Sequence, residues 1–121
     1  MKPKNKNNLK DRLTRYRRIR ISVVGRKTGQ TISVPVWFVL DEVKLYLLPV
    51  RGSETQWYQN VLKNPSIRID ARGAEAAFRA LPIKQPKPVQ SVIKKFREKY
   101  GAGDVKKYYS KFDVAVLVGT I

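Results

Sequence analysis

The stretch that decides the fold runs from Val24 to Pro65 and reads VGRKTGQTISVPVWFVLDEVKLYLLPVRGSETQWYQNVLKNP. It contains two strand patterns, two glycine turns and a short helical pattern that ends before Pro65. The first turn, Gly25–Gly29, carries two cations and a hydroxyl, and the second, Val50–Ser53, precedes Trp57-Tyr58. Glycine turns with cationic side chains close to aromatic residues predict a site for a flat, anionic ligand.

The composition restricts both the size of the protein and its chemistry. With 121 residues, of which 42% are hydrophobic, the chain can build one modest core. Its 26 Lys+Arg against 9 Asp+Glu give a net charge of +17, which attracts anions such as nucleic acid, acidic lipid or a phosphorylated cofactor. The chain has no cysteine and no histidine. Disulfides, Ser-His-Asp hydrolases and zinc enzymes are therefore excluded, and we predict no metal site.

The beginning of the chain is basic. Residues 1–8 are predicted to form a flexible basic arm, and residues 9–121 a single domain. Leu9, Leu13 and Tyr16 recur at helical spacing, which predicts an amphipathic helix that packs on the domain or contacts a membrane surface or a polyanion. No apolar run approaches the roughly 20 residues of a spanning helix, and the N-terminus lacks an apolar signal core, so a cytoplasmic protein is expected.

Alternating apolar residues predict about six strands. The first begins at Ile19 and continues through the turn Gly25–Gly29 into a second strand, Thr31–Leu40, forming a hairpin. Pro35 cannot donate to a ladder, so it predicts an edge or a bulge. The third strand, Lys44–Val50, is apolar on both faces and should be central.

The second half of the chain continues this alternation and adds one clear helix. Strands are predicted for Ser66–Arg72, for Ala74–Ile83 and for Asp113–Gly119, the last buried on both faces. Between them Val89, Val92, Ile93, Phe96 and Tyr100 form a helical stripe. The predicted fold class is mainly β or α+β, a small antiparallel barrel with helices packed outside.

Several residues are candidates for ligand contacts on their chemistry alone. Arg26, Lys27 and Thr28 could face an anion together with free backbone N–H groups, although a hairpin turn with solvated basic residues would look the same. Pro35 and Trp37 share one face of their strand and would line the same pocket. Trp57 is expected either at this pocket or in the core. Ser53 or Thr55 can cap the following helix.

The order GRKTG, VPVWFV, a glycine turn and WYQNVLKNP resembles the split-barrel, flavin-reductase-like proteins, and specifically the deazaflavin-dependent nitroreductase family. That family uses coenzyme F-420, an 8-hydroxy-5-deazaflavin. The likeness extends from Arg20 to about Arg72 and, more loosely, to the final strand. It implies a split β-barrel and an oxidoreductase that transfers a hydride from the reduced cofactor to a nitro, quinone or enone acceptor.

The resemblance also implies roles for individual residues. The first turn would hold the cofactor's phosphate and acidic tail, the proline-aromatic strand would lie beside the ring, and the second turn would meet the ring largely through its backbone. Tyrosines near the C-terminal helix would approach the substrate. The residues concerned are, in that order, Arg26, Lys27 and Thr28, then Pro35 and Trp37, then Val50, Arg51, Gly52 and Ser53, and finally Tyr108 and Tyr109.

Departures from the family pattern keep other ligands open. Val50-Arg51-Gly52-Ser53 stands where many members have Ser-x-Gly-Gly, so FMN or haem are alternative cofactors, with or without turnover. A basic barrel that binds nucleic acid is disfavoured, because the Tyr and Trp residues lie within apolar patterns instead of a polar, exposed row. Split barrels of this kind are often dimers with the cofactor at the interface. A homodimer and a peripheral membrane contact are therefore both open as partners.

Overall fold

The computed structural model describes residues 4–121, which form four α-helices and eight strands. Within this range none of the four helices has the length and hydrophobicity of a membrane-spanning segment. A short 3-10 turn, Gly52–Glu54, precedes the second helix. In chain order the elements are α1 (Lys4–Arg15), β1 (Ile19–Val24), β2 (Thr31–Val36), β3 (Val39–Asp41), β4 (Lys44–Leu47), α2 (Gln56–Lys63), β5 (Ser66–Ala71), β6 (Ala74–Arg79), β7 (Leu81–Ile83), α3 (Pro86–Tyr100), α4 (Ala102–Tyr108) and β8 (Ala115–Thr120).

The strands form two antiparallel sheets of four, ordered β2-β1-β5-β6 and β3-β4-β8-β7. This confirms the predicted antiparallel α+β split barrel. Strand β4 lies between β3 and β8 and is central, as its two apolar faces predicted. Strand β2 is an edge strand, with Pro35 opposite Arg20 of β1, so the missing N–H of the proline can face outward.

Two strands that the alternation predicted as continuous are each broken at a corner, which is why the structure has eight strands instead of about six. Thr31–Leu40 leaves the first sheet at Trp37-Phe38, and Ala74–Ile83 leaves it at Ala80. Both segments then continue as strands of the second sheet. Strands that pass from one sheet to the other in this way form the corners of a barrel. The alternation nevertheless survives the corner, because Val34, Val36, Phe38 and Leu40 all pack in one core, whereas Ile32 is 41% exposed. Neighbouring residues Phe38 and Val39 are both buried, but in different cores.

The apolar residues form two cores. One lies between the sheets and includes Ile21, Ile69 and Val116. The other lies between the second sheet and the helices α3 and α4, where the whole predicted stripe from Val89 to Tyr100 is buried. Strand β8 contributes to both cores, which explains why its sequence is apolar on both faces.

Helix α1 begins at Lys4, within the segment predicted as a basic arm, and residues 1–3 of that segment lie outside the described part of the chain. Leu9 and Leu13 are fully buried, as the helical spacing predicted. The helix packs on β5 and β6, and the Arg12 guanidinium donates to the Arg72 carbonyl in the turn between them. This end of the first sheet is thereby covered, while the outer face of the sheet stays polar.

Candidate functional site

The turn between β1 and β2 forms one wall of a cavity of about 560 Å³. The opposite wall comes from the turn after β4 and the N-terminal end of α2. We call it the cationic cavity because three of its side chains are basic. Its lining consists of Gly25, Arg26, Lys27, Thr28, Ile32, Val34, Val50, Arg51, Thr55, Gln56, Trp57 and Asn60.

Arg26 is tied to helix α2. The Oδ1 atom of Asn60 accepts from the backbone N–H of Arg26 at 3.1 Å and from its guanidinium at 2.8 Å. A second guanidinium nitrogen donates to Oε1 of Gln56 at 2.8 Å. Asn60 is only 3% exposed, so these bonds satisfy a polar group that burial would otherwise penalise. Arg26 thus fixes the position of the turn and keeps part of its donors for a ligand.

The backbone N–H groups and the lysine of this turn indicate an anion-binding site. The N–H groups of Gly25 and Gly29 bond within the turn, and Thr28 Oγ1 accepts from the N–H of Gln30. In the described part of the chain, the N–H groups of Lys27 and Thr28 have no protein acceptor, and the Lys27 ammonium has no ion-pair partner. Successive free N–H groups beside a cation suit a phosphate or carboxylate.

A second cavity of about 530 Å³ adjoins the first, and the two share Val34, Val50 and Trp57. We call it the aromatic cavity because four aromatic side chains line it. Apolar residues from β2 and from the end of β4 complete most of the wall. Its lining consists of Arg18, Val34, Pro35, Val36, Trp37, Leu48, Val50, Trp57, Tyr108 and Tyr109.

Trp37 stands at the corner where the chain leaves the first sheet, and Tyr100 holds it there. The two rings are parallel within 5°, with centroids 4.2 Å apart. The Tyr100 hydroxyl accepts from the Phe38 N–H at 3.1 Å and lies 2.6 Å from the Arg17 carbonyl and 2.9 Å from that of Phe38. Backbone groups that lose their ladder partners at the corner are thus satisfied by a side chain.

Tyr108 and Tyr109 both reach the aromatic cavity but differ in exposure. Tyr108 is 54% exposed and meets the edge of Trp37, with ring centroids 5.5 Å apart. Tyr109 is 5% exposed, and burial raises the pKa of its hydroxyl above the ordinary value, with Tyr100 adding to the shift. Tyr109 therefore remains a neutral donor at physiological pH.

The turn after β4 is closed by its own hydrogen bonds. The N–H of Arg51 donates to Thr55 Oγ1, that of Gly52 to the Pro49 carbonyl, and that of Ser53 to Asp113. Thr55 occupies the position before α2, as expected for a cap, but its hydroxyl turns back to Arg51 instead of capping the helix. Gly52 has a φ of 56°, and a Cβ there would lie 2.1 Å from Asp113 Oδ1. A glycine is required at this position by both backbone and packing.

The structure brings most of the predicted site residues to the two adjoining cavities. Gly52 and Ser53 line neither cavity, because their side of the turn faces Asp113. The sequence analysis did not identify the residues that position the site. Asn60 and Gln56 bind Arg26 of the first turn, and Tyr100 stacks on Trp37. The sequence did contain an indication for Asn60. A polar residue three positions after Trp57 lies on the apolar face of α2, where it needs a hydrogen-bond partner.

Two four-stranded antiparallel sheets joined by strands that switch at corners, with helices outside, define a split-barrel fold of the flavin-reductase-like type. A family model described as "Uncharacterized protein conserved in bacteria (DUF2255)" matches residues 10–115. The chain therefore belongs to this bacterial family.

Solved structures share the fold at low sequence identity. An F-420-H2-dependent reductase, FDR-A, is 18% identical with a TM-score of 0.66, covering 85% of this chain and 94% of that one. A domain-swapped dimer is 15% identical with a TM-score of 0.68, covering 94% of this chain and 98% of that one. The haem storage protein HutZ from Vibrio cholerae is 14% identical with a TM-score of 0.69, covering 93% and 86%. No curated protein matches the chain by sequence.

Proposed function

We propose that this protein is an oxidoreductase that uses a deazaflavin of the F-420 type to reduce a nitro, quinone or enone acceptor. The observation that carries the proposal is the direct connection of the cationic cavity to the aromatic cavity through Val34, Val50 and Trp57. A flat ring with an anionic tail needs both environments side by side, because apolar burial favours the ring and positive charge favours the tail. The fold shared with FDR-A supports this choice of cofactor.

The residues of the cationic cavity fit an anionic tail. Among the residues that the structure describes, the Lys27 ammonium has no ion-pair partner, and its N–H and that of Thr28 are open to an oxygen ligand. Arg51 adds a second charge, since its contact with Glu54 is a loose one of 3.9 Å between exposed groups. Charge-assisted hydrogen bonds from such groups to phosphate or carboxylate oxygens are stronger than neutral ones. We therefore assign the phosphate and acidic groups to this cavity.

The residues of the aromatic cavity fit a planar ring. Pro35 and Trp37 form one part of the wall and Trp57 another, and neither tryptophan depends on a ligand for its position. Trp37 is stacked on Tyr100, and Trp57 is buried in the core between the sheets. Rigid apolar walls orient a ring and exclude water from it. Once bound in its reduced form, the cofactor supplies the hydride, which leaves these tasks to the protein.

The tyrosines suit the charge that develops on the acceptor. Tyr109 is protonated at physiological pH, and burial raises its pKa further, so its hydroxyl can donate a hydrogen bond to an oxygen that gains negative charge. Tyr108 is exposed at the mouth of the same cavity, where it can contact the acceptor as it enters. This chemistry requires no histidine, cysteine or metal.

Titration of the purified protein with oxidised F-420, followed by cofactor fluorescence, tests the proposal. We expect saturable binding that Lys27→Ala weakens by about tenfold, the factor for one charge-assisted hydrogen bond. Lys94→Ala is the matched control, because Lys94 is an exposed lysine on α3 that lines neither cavity. Equal weakening by both variants would show a general charge effect and contradict the phosphate assignment.

A parallel titration with FMN decides between cofactors. Preference for FMN would retain the two-cavity arrangement and replace the deazaflavin, whereas binding of neither would overturn the proposed function. Haem fits the lining less well, because the chain has no histidine or cysteine to ligate iron. Among the side chains of the aromatic cavity, only the tyrosine hydroxyls could then ligate the haem iron.

A further inference from the structure

A third cavity, of about 510 Å³, continues from the aromatic cavity on the side away from the cationic one. It shares Arg18 and Pro35 with the aromatic cavity and no residue with the cationic cavity. We call it the arginine cavity. Its lining consists of Arg17, Arg18, Ile19, Arg20, Pro35, Asp70 and Arg72.

The charge of this cavity is unbalanced. Four guanidinium groups face one carboxylate, and within residues 4–121 none of the four makes an ion pair within 4 Å. Asp70 lies opposite Arg20 in the sheet register, and one of its oxygens already accepts from the Gly73 N–H at 2.8 Å. Even a close contact with Arg20 would offset only one of the four positive charges. The cavity therefore has a positive potential that attracts an anion.

Two of the four arginines are already held in position. The Arg17 guanidinium lies 4.9 Å from the centre of the Tyr100 ring and donates to the Lys99 carbonyl, and Arg72 lies 4.5 Å from the centre of the Tyr16 ring. Groups that are fixed before a ligand arrives lose less entropy on binding.

The other two arginines are open to a ligand. Arg18 and Arg20 are exposed, and in the described chain their side chains have no hydrogen-bond partner. Arg18 also lines the aromatic cavity, so its guanidinium can contact a molecule that occupies both spaces.

We propose that the arginine cavity binds the carboxylate or a similar anionic group of the acceptor, so that the substrates are acidic aromatic compounds. The assignment to an acceptor rests on the proposed function, whereas anion binding by the cavity does not. A volume of about 510 Å³ is that of a small-molecule site. The reducible part of the substrate then enters the aromatic cavity beside the cofactor ring, with the arginine cavity at one end and the cationic cavity at the other.

Calorimetric titration with 4-nitrobenzoate and 4-nitrobenzamide at one low ionic strength tests this proposal. The two probes have the same ring and nitro group and differ in charge. We expect the carboxylate to bind about tenfold more tightly, as for one charge-assisted hydrogen bond. Arg18→Gln and Arg20→Gln should remove this preference. Arg79→Gln, an exposed arginine on β6 that lines none of the three cavities, should keep it.

Equal affinity for the two probes would overturn the proposal, as would a preference that persists in the Arg18→Gln/Arg20→Gln double variant. A preference lost equally in Arg79→Gln would also overturn it, because net charge alone would then explain the result. Arg20→Gln should leave F-420 affinity unchanged. Weaker F-420 binding in this variant would assign the cavity to the cofactor's tail instead of the acceptor.

Inorganic phosphate separates this proposal from the proposed function. Followed through the arginine Nε–Hε signals in NMR spectra, phosphate should shift Arg18 and Arg20 saturably and leave Arg79 unchanged. Shifts of these two signals without binding of either nitro compound would retain the anion site and overturn its assignment to the acceptor. Absence of the shifts together with absence of a carboxylate preference would overturn both parts, whatever the result with F-420.

Discussion

Lys99 places a partly buried charge beside the residues that hold Trp37. Its ammonium donates to the Phe38 carbonyl at 2.8 Å and lies 3.5 Å from the centre of the Phe38 ring. Burial, with a smaller contribution from the charge of Arg17, lowers the pKa of Lys99 from 10.5 to about 8. The charged form is therefore less favourable in the folded protein than in the unfolded chain.

This shift predicts a rise in stability with pH. Between about pH 8 and 10.5 the unfolded chain keeps the proton of Lys99 that the folded protein has released, so the free energy of unfolding increases with pH in that window. Below about pH 8, Lys99 is protonated in both the folded and the unfolded state. The folded protein then bears the full free-energy cost of the partly buried charge. We expect urea unfolding to show a steeper rise for the wild type than for Lys99→Met. The neutral amine still donates to Phe38, so that hydrogen bond survives the titration.

Lys94→Met is the control, since Lys94 is exposed on the same helix. Its pH profile should run parallel to that of the wild type. A parallel profile for Lys99→Met as well would contradict the expected shift, because the general fall in positive charge would then account for the whole rise.

At the scale of elements, helix α2 and the turn Gly25–Gly29 act as one unit. The link is Asn60, whose single side-chain oxygen accepts from both the backbone and the guanidinium of Arg26. Helix α2 thus positions the turn through Asn60, and the turn lines the cationic cavity. A local hairpin with solvated basic residues, the alternative that the sequence left open, would not need this contact.

Asn60→Ala should uncouple the two elements. The Arg26 N–H and guanidinium lose their shared buried acceptor, for which we expect a loss of about 1–3 kcal/mol in the free energy of unfolding. Hydrogen exchange should also become faster at residues 25–29. Gln90→Ala, an exposed amide on α3, should change neither quantity. A loss of less than about 0.5 kcal/mol, within the range for surface substitutions, would show that Asn60 does not hold the turn.

At the scale of the whole molecule, the high positive charge opposes the compact fold. A net charge of +17 on 121 residues repels itself in the compact state, and the three adjoining cavities gather seven of these cations on one side of the barrel: Arg17, Arg18, Arg20, Arg26, Lys27, Arg51 and Arg72. Two of these cations have stabilising contacts, because Arg17 and Arg72 lie over tyrosine rings and Arg17 also donates to the Lys99 carbonyl. An anionic ligand would relieve the repulsion further.

Added salt should therefore raise the melting temperature. The screening length falls from about 30 Å at 0.01 M to about 8 Å at 0.15 M, so repulsion between exposed charges farther apart than this is largely screened. We expect an increase of a few degrees, measured by circular dichroism in sodium chloride. The variant Arg79→Glu/Lys94→Glu, with a net charge of +13 instead of +17, should show a smaller increase. A melting temperature that is constant or falls with salt would contradict self-repulsion as a destabilising factor.

Predictions from the sequence were most accurate where near neighbours carry the signal. The spacing from Val89 to Tyr100 predicted the stripe that α3 buries, and Leu9 with Leu13 predicted the buried side of α1. The same alternation did not reveal that the chain changes sheet at Phe38 and at Ala80. A change of sheet there leaves the apolar pattern almost intact, so the broken strands could not be recognised from their residues.

By itself, the sequence determined the class of fold, the cationic character of the surface and the pairing of glycine turns with aromatic residues, because these depend on local periodicity and composition. Only the tertiary structure decided where the strands change sheets and how three cavities come to adjoin one another. It also decided that Asn60 holds Arg26 and that Tyr100 holds the corner at Phe38, contacts that join residues 34 and 62 positions apart. Such distant pairings follow from how the sheets close around their cores, and no local pattern encodes them.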